Sequence, residues 1–368
     1  MICGIIRINF QIHKNLSIFA QVFFIMKHVD YIIVGDGFAA MFFALELLRN
    51  NQSFYVFSDG KKGASRISAG MVNPVILKKF TTFPEAFAQL KKLREKLGDW
   101  AVFTTVDTLV DEPVHRIFHD DKEKDTWLKK MFREELQPFL APEFEVFPDI
   151  ENPYGCGRVL RSFRVDVPLF FKTVTDFLMS QGQLVSEKFD YSLLSPMNTV
   201  YRDVHYTNIV FAEGISVREN PFFRNIPIIP NKGHHISVFA EGYHRYETFK
   251  KKHFLFPYEN GSFYYGGTYD RGNTAEEIDE NAIEQLENGL AEIIPAHFRI
   301  QEKVCAFRPT MPDRKPILGR HEDFPELFVF NGLGTRGLLN AAAYSDILFD
   351  FCQYNTPLPT EVCLDRFY

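Results

Sequence analysis

HVDYIIVGDGFAA, residues 28–40, is the stretch on which the fold turns. Residues 28–34 are rich in apolar and β-branched side chains and stop at Gly35, the pattern of a buried parallel strand. Residues 38–50 then have helical spacing, with Ala39, Phe42, Phe43, Leu45 and Leu48 among the apolar positions. SFYVF, residues 53–57, is a second short strand. Strand, turn, helix and strand in this order open an α/β sheet of the dinucleotide-binding kind. Gly35 permits the tight turn. Gly37 lets backbone approach a pyrophosphate, and Ala40 is small enough for helix to pack closely on strand. The helix N-terminus offers free N–H groups and the positive end of a dipole to the phosphates. An acid about 20 residues further on should bind the ribose hydroxyls. Ser58 holds the strict position and Asp59 follows it, so Asp59 is assigned with a one-residue misfit.

Three more stretches point to a ligand. In GASRISAGMVNP, residues 63–74, small side chains let the chain pass close to a bound molecule, and Arg66 brings a guanidinium suited to phosphate. Taken alone it reads as a polar loop. GLGTRG, residues 332–337, lies between an expected strand over 327–330 and an expected helix over 337–351. A nicotinamide enzyme needs only one such glycine loop. A flavin gains from a second, because its reduced ring is anionic and a helix dipole can stabilise that charge. In CAFRPTMPDRKPILG, residues 305–319, Pro309 holds Arg308 extended, and a guanidinium so placed can grip a carboxylate in bidentate fashion. The commoner fate of a lone Arg is a surface ion pair.

Helices are also expected over 84–97, with Gly98 past the end, over 123–136, over 166–180 with Asp166 as N-cap, and over 274–294. A strand pair is expected within 201–212 and a hairpin within 261–269. Composition is that of a globular chain, 46% hydrophobic and 24% charged, with 39 Phe that call for large buried aromatic surfaces. Net charge is −6 with no dense basic block, which disfavours a nucleic-acid partner. The five Cys form no CxxC or zinc-type spacing, as in a reducing, cytoplasmic setting. The apolar run over 18–26 is far shorter than the roughly 18 residues of a membrane span. Met26 reads as the natural start and the residues before it as an extension or the product of an upstream start, with a cleaved leader as the alternative.

Taken together, GDGFAA, ASRISAGMVNP, FRPTMPDRKPILG and NGLGTRGLLNAAAY stand in the order found in one family. Over roughly residues 28–350 the sequence resembles the D-amino acid oxidase superfamily, the glycine oxidase and sarcosine oxidase type of flavoenzyme. Weaker echoes are RSFRVDVPLFF, residues 161–171, and IPNKGHHI, residues 229–236. The resemblance implies FAD contacts at Gly35, Gly37, Ala40, Asp59, Ser65, Arg66, Gly70 and Met71, with Phe189 near the adenine. It places Gly334, Thr335, Arg336, Gly337 and Leu338 under the flavin pyrimidine ring, and Arg308 at a substrate carboxylate. GLGTRG departs from the commoner aromatic-Arg-Asn-Gly form, which puts the role of Arg336 in doubt. Some members attach flavin to a Cys near the position of Cys305; the Arg-Pro form here resembles those that do not, so dissociable FAD is expected.

One of His234 and His235 is expected to face the substrate, and His234 is the one assigned. Tyr258, Tyr264, Tyr265 and Tyr269 mark strands that can wall a pocket or simply pack. His115 and His119 could share a helix face; with no third ligand a solvated face is expected and no metal site.

The expected architecture is therefore α/β: a discontinuous Rossmann-type FAD-binding domain over 27–95, 150–228 and 305–368, with an inserted mixed-sheet α+β substrate domain over 96–149 and 229–304. The expected activity is oxidation of a C–N bond in a small amine or amino acid by hydride transfer to flavin, with oxygen or another acceptor taking the electrons. The alternatives are a nicotinamide-dependent dehydrogenase and a flavin-binding subunit with no amine substrate of its own. A tRNA-modifying relative is also possible within the superfamily, but the acidic net charge disfavours RNA.

Overall fold

The computed structural model describes residues 28–258 and 260–367; the residues before Met26 and their expected role lie outside that range. Five parallel strands form the heart of the first sheet, in the order Leu184–Val185, Phe54–Phe57, His28–Val34, Val204–Phe211 and Leu327–Asn331. The chain leaves His28–Val34 toward one side and later returns on the other, so a topological switch point falls between His28–Val34 and Val204–Phe211. Crevices at such points are where open α/β sheets bind ligands.

Alternation along His28–Val34 feeds two cores. Tyr31 and Ile33 pack under the helices Phe38–Arg49, Ala86–Thr104 and Gly337–Tyr354, beside Phe42, Phe43 and Trp100. Ile32 and Val34 pack on the opposite face with Phe57, Phe189, Tyr201, Phe211 and Phe223. Much of the phenylalanine is spent in these two layers. Helix Ala86–Thr104 runs through Gly98, where the sequence pattern puts its end. Trp100, fully buried against Phe170 and Phe177, rewards continuing the helix by more than the roughly 1 kcal/mol a mid-helix Gly costs. Asp166 is the expected N-cap, accepting from the Leu169 amide at 3.0 Å. The helices expected over 123–136 and 274–294 are shorter, at Asp121–Lys130 and Glu280–Ala291.

The second sheet has eight strands, ordered Phe298–Thr310, Ile229–Ala240, Phe263–Gly266, Phe254–Pro257, Thr248–Lys250, Val114–Ile117, Cys156–Val159 and Leu140–Glu145. All neighbours are antiparallel except Thr248–Lys250 and Val114–Ile117, which makes it a mixed sheet. Helix Glu280–Ala291 covers its outer face through Ile283, Leu286 and Leu290. Sheet membership departs from the expected partition at two edges. Cys156–Val159 pairs within the second sheet, and the strand Phe298–Thr310 runs unbroken past residue 305. Both segments join the second sheet because their pairing partners, Val114–Ile117 and Ile229–Ala240, are already there.

Candidate functional site

Gly35 ends the first strand with φ +112°, and a Cβ there would collide with the carbonyl oxygen of Ala212 across the switch point. Gly37 is the N-cap of helix Phe38–Arg49 and has an ordinary φ of −81°. A Cβ on it would meet only the Ser65 hydroxyl, at 3.0 Å. Ser65 Oγ accepts from the Phe38 amide at 3.2 Å, which pins the second loop against the first turn. Other first-turn amides of a helix have no intrahelical acceptor, and these face the cleft.

Asp36 explains two details of this end. Its carboxylate accepts from Ser58 Oγ at 2.7 Å and from Arg66 Nη2 at 2.7 Å and Nε at 3.1 Å. Arg66 thus lines the cleft as half of an ion pair, stacked 4.6 Å over Phe171, and not as a free phosphate clamp. Ser58 is buried and turned toward Asp36. Asp59 is exposed at the cleft edge, accepting from the Lys61 amide at 3.0 Å. Gly70 has φ +65°, and a Cβ on it would strike the Val165 carbonyl; Met71 beside it also lines the cleft. Phe189 stacks on Tyr201 at 4.1 Å and closes the floor.

The second glycine loop meets the same space. Gly332 and Gly334 have φ +69° and +61°, and Gly334–Arg336 forms a single tight turn before helix Gly337–Tyr354. Thr335, Arg336, Gly337 and Leu338 all line the cleft, so the helix aims its N-terminus there. The Arg336 guanidinium lies 4.3 Å over the Phe83 ring, and burial holds its pKa below the usual value.

Facing these loops is the inner face of the mixed sheet. The register sets Asn231 opposite Arg308, Gly233 opposite Ala306 and His234 opposite Cys305. Arg308 folds its guanidinium across Gly233, where a Cβ would collide with it. Its Nη1 donates to Thr268 O at 3.0 Å, and the guanidinium sits 4.6 Å over the Tyr269 ring. Among the described residues no carboxylate lies within salt-bridge distance of Arg308, unlike Arg366, which pairs with Asp313 at 2.8 Å. His235 shares the inner face, stacked 4.6 Å from Tyr264. Burial, and then the Arg308 charge, push its pKa down to about 4, so it is neutral near pH 7.

Strand alternation sets the His234 ring apart from that of His235. The His234 ring points to the other face, where Nε2 accepts from the Asp279 amide at 3.1 Å and Nδ1 lies 3.3 Å from Thr268 Oγ1. Both ring nitrogens are occupied by the scaffold although His234 also borders the cleft, and His235 is the histidine on the Arg308 face. Cys305, opposite His234, also faces away: its thiol donates to Glu276 O at 3.3 Å, and burial raises its pKa. Of the tyrosines, Tyr264 is on the inner face, whereas Tyr265 packs in the outer core. His115 and His119 do not share a helix face. His115 is buried on strand Val114–Ile117, its Nε2 2.9 Å from Glu145, and His119 lies in the turn that follows. Among the described residues no cluster of three or more His, Cys, Asp or Glu side chains is placed to hold a metal.

The sequence reading gave Glu213 no role. It lies two residues past the switch-point strand Val204–Phe211 and lines the cleft. Burial drives its carboxyl pKa up to about 7, against hydrogen bonds from Asn220 Nδ2, at 2.7 Å, and from the Tyr191 hydroxyl. A Glu two residues past a buried strand was visible, but its burial depends on the distant Asn220 and Tyr191.

The cleft encloses about 870 Å³, in the upper range for a small-molecule or cofactor site. Two glycine loops aim helix N-termini into it, and Gly37 leaves the space that a Cβ would fill. This fits a dinucleotide with its pyrophosphate at Gly37 and its ring system near Gly337. No helix among the described residues is long and apolar enough to cross a membrane.

The comparisons agree with this geometry. The chain is 22% identical to the glycine oxidase of Bacillus licheniformis over 359 residues, 91% of this chain and 95% of that one. The crystal structure of glycine oxidase from Geobacillus kaustophilus superposes with a TM-score of 0.74 at 18% identity, covering 89% of this chain and 95% of that one. Iminodiacetate oxidase from Chelativorans sp. BNC1 gives 0.74 at 16% identity, covering 90% and 98%. The family model described as FAD dependent oxidoreductase matches residues 30–350. The chain therefore belongs to the FAD dependent oxidoreductase (DAO) family, an enzyme family that takes FAD as cofactor.

Proposed function

We propose that the protein oxidises a C–N bond of a small amino acid, holding the substrate carboxylate on Arg308. The observation that carries this reading is Arg308 itself, a half-buried guanidinium on the cleft wall with one backbone acceptor and no carboxylate partner among the described residues. A cation so placed is stabilised by a ligand that brings the missing charge. The activities for which the relatives are named, glycine and iminodiacetate oxidation, support an amino acid as that ligand.

When bound, FAD would supply the hydride acceptor. Gly35, Gly37, Ser65, Gly70, Met71 and Phe189 would hold its nucleotide half, and residues 334–338 its ring, whereas Ala40 is fully buried behind the loop and serves its packing. The N-terminus of helix Gly337–Tyr354 favours negative charge on that ring. Arg308 orients the substrate, and Tyr264 and Phe254 wall off water. His235, with a pKa of about 4, can hydrogen-bond the amine without adding charge beside Arg308. It is a weak base at neutral pH, so no base is assigned. Cys305 faces away from the cleft, which supports non-covalent FAD. Cys156, Cys305, Cys352 and Cys363 are free, which supports a reducing, cytoplasmic setting, and oxygen or another carrier would reoxidise the flavin.

The test is anaerobic addition of a panel of amino acids and amines to the purified yellow protein. Bleaching by an amino acid is expected. Bleaching by none, with flavin bound, would favour a flavin-binding subunit without an amine substrate.

A further inference from the structure

The inner face of the mixed sheet carries more positive charge than one carboxylate needs. Register places His235, Gly266, Phe254 and Lys250 in one transverse row over four strands. Arg308 pairs with Asn231, four residues from the His235 partner Val304, but its guanidinium reaches back over Gly233 and Gly267 beside the His235 end of that row; Lys250 is at the other end, and both line the cleft. At about 4.8 Å per strand, the row from His235 to Lys250 spans about 14 Å of backbone. Less the reach of the Lys250 side chain, that leaves room for a spacer of a few methylenes. Between them the wall is aromatic, with Phe254 and Tyr264.

The cations flanking Lys250 on its own turn and on the next strand are matched by acids. Arg116, next in the row, pairs with Glu123, and Lys251 and Lys252 both pair with Glu292. Lys250 is different. Its Nζ donates to Lys252 O at 2.7 Å and lies 4.4 Å over the Phe254 ring, but no carboxylate among the described residues reaches it. Burial, and then the charge of Arg116, push its pKa down to about 7. Leaving an ammonium desolvated and unmatched is costly unless a ligand supplies the counter-charge.

We propose that the substrate is a dianionic amino acid, with one carboxylate on Arg308, a second on Lys250, and the oxidised C–N bond between them. This rests on the reading of Arg308 given above. The probes are ethers, whose oxygen replaces the amine nitrogen and blocks oxidation. One set is methoxyacetate and its longer alkyl homologues. The other is the matching dicarboxylates, from oxydiacetate to spacers of about four methylenes. Calorimetric titration of the flavin-loaded protein is expected to show one spacer length binding about ten-fold tighter than its monocarboxylate match. Lys250→Gln should reduce that preference below about two-fold while leaving monocarboxylate binding within about two-fold, and Lys250→Arg should keep it. Equal affinity for both sets in wild type, or a preference that survives Lys250→Gln, would overturn the proposal while leaving Arg308 as a carboxylate site. Should Lys250→Gln not fold, the spacer series in wild type decides alone. Binding of neither set would refute the Arg308 reading, and this inference with it.

Discussion

The two ends of the cleft are made by different means. At the phosphate end the wall is backbone from a few contiguous stretches, and its one prominent cation, Arg66, is neutralised by Asp36 within the same fold. At the substrate end the wall is side chains from separate strands, and Arg308 and Lys250 have no acid of their own among the described residues. A backbone cradle fixes the class of cofactor and tolerates no added carbon. A side-chain wall fixes the substrate and can be changed one residue at a time.

The sharpest way to break that contrast is at the two glycines of the first loop. Gly35→Ala puts a Cβ into a carbonyl at positive φ, and should cost more than about 3 kcal/mol and leave little folded protein. Gly37→Val meets only the Ser65 side chain, so the chain should fold yet lose its flavin, because the added bulk stands in the pyrophosphate path. The flavin-to-protein absorbance ratio and the melting temperature separate the two outcomes. A Gly37→Val protein with full flavin would refute the cradle.

Glu213 tests whether the switch point carries a proton. Its pKa rises from 4.5 to about 7 on folding, so folding favours the protonated form. The stabilisation is present in full below about pH 4.5 and is lost as pH rises toward 7, about 3 kcal/mol in all. Glu213→Gln should therefore match wild type at pH 5 and melt higher at pH 8. Parallel melting profiles across that range would show that the carboxyl is not held neutral.

Cys305 gives the smallest expected effect. Acid precipitation should release yellow flavin into the supernatant from wild type and from Cys305→Ser alike. Colour that stays with the wild-type pellet alone would make Cys305 an attachment point despite its outward position.

How legible each end was in the sequence follows from how it is built. GDGFAA, the strand before it and the helix after it are neighbours in sequence, so their spacing exposed the turn, the cradle and the parallel strand pair. The one-residue misfit at Asp59 has a non-local origin: Asp36 holds Ser58 inward and leaves Asp59 at the cleft edge. At the opposite end, the Arg-Pro context singled out Arg308, which lines the cleft; its role there is the one proposed above. The choice between His234 and His235 was not legible, because it depends on strand phase, and phase is set by pairing with residues about seventy positions away. Gly233 was the available clue: on this strand it shares the Arg308 face, and so does every second residue, including His235. Lys250 gave no signal, since an unmatched lysine is visible only once its neighbours' partners are known.

The most direct test of the account is Arg308→Ala, measured by anaerobic flavin reduction with an amino acid that bleaches the wild type and with the amine left by removing its carboxylate. The account predicts that the apparent Kd for the amino acid rises by a factor equivalent to about 2–5 kcal/mol, while the value for the amine barely moves. Equal weakening of both would show that Arg308 does not hold the carboxylate and would contradict the account at its centre.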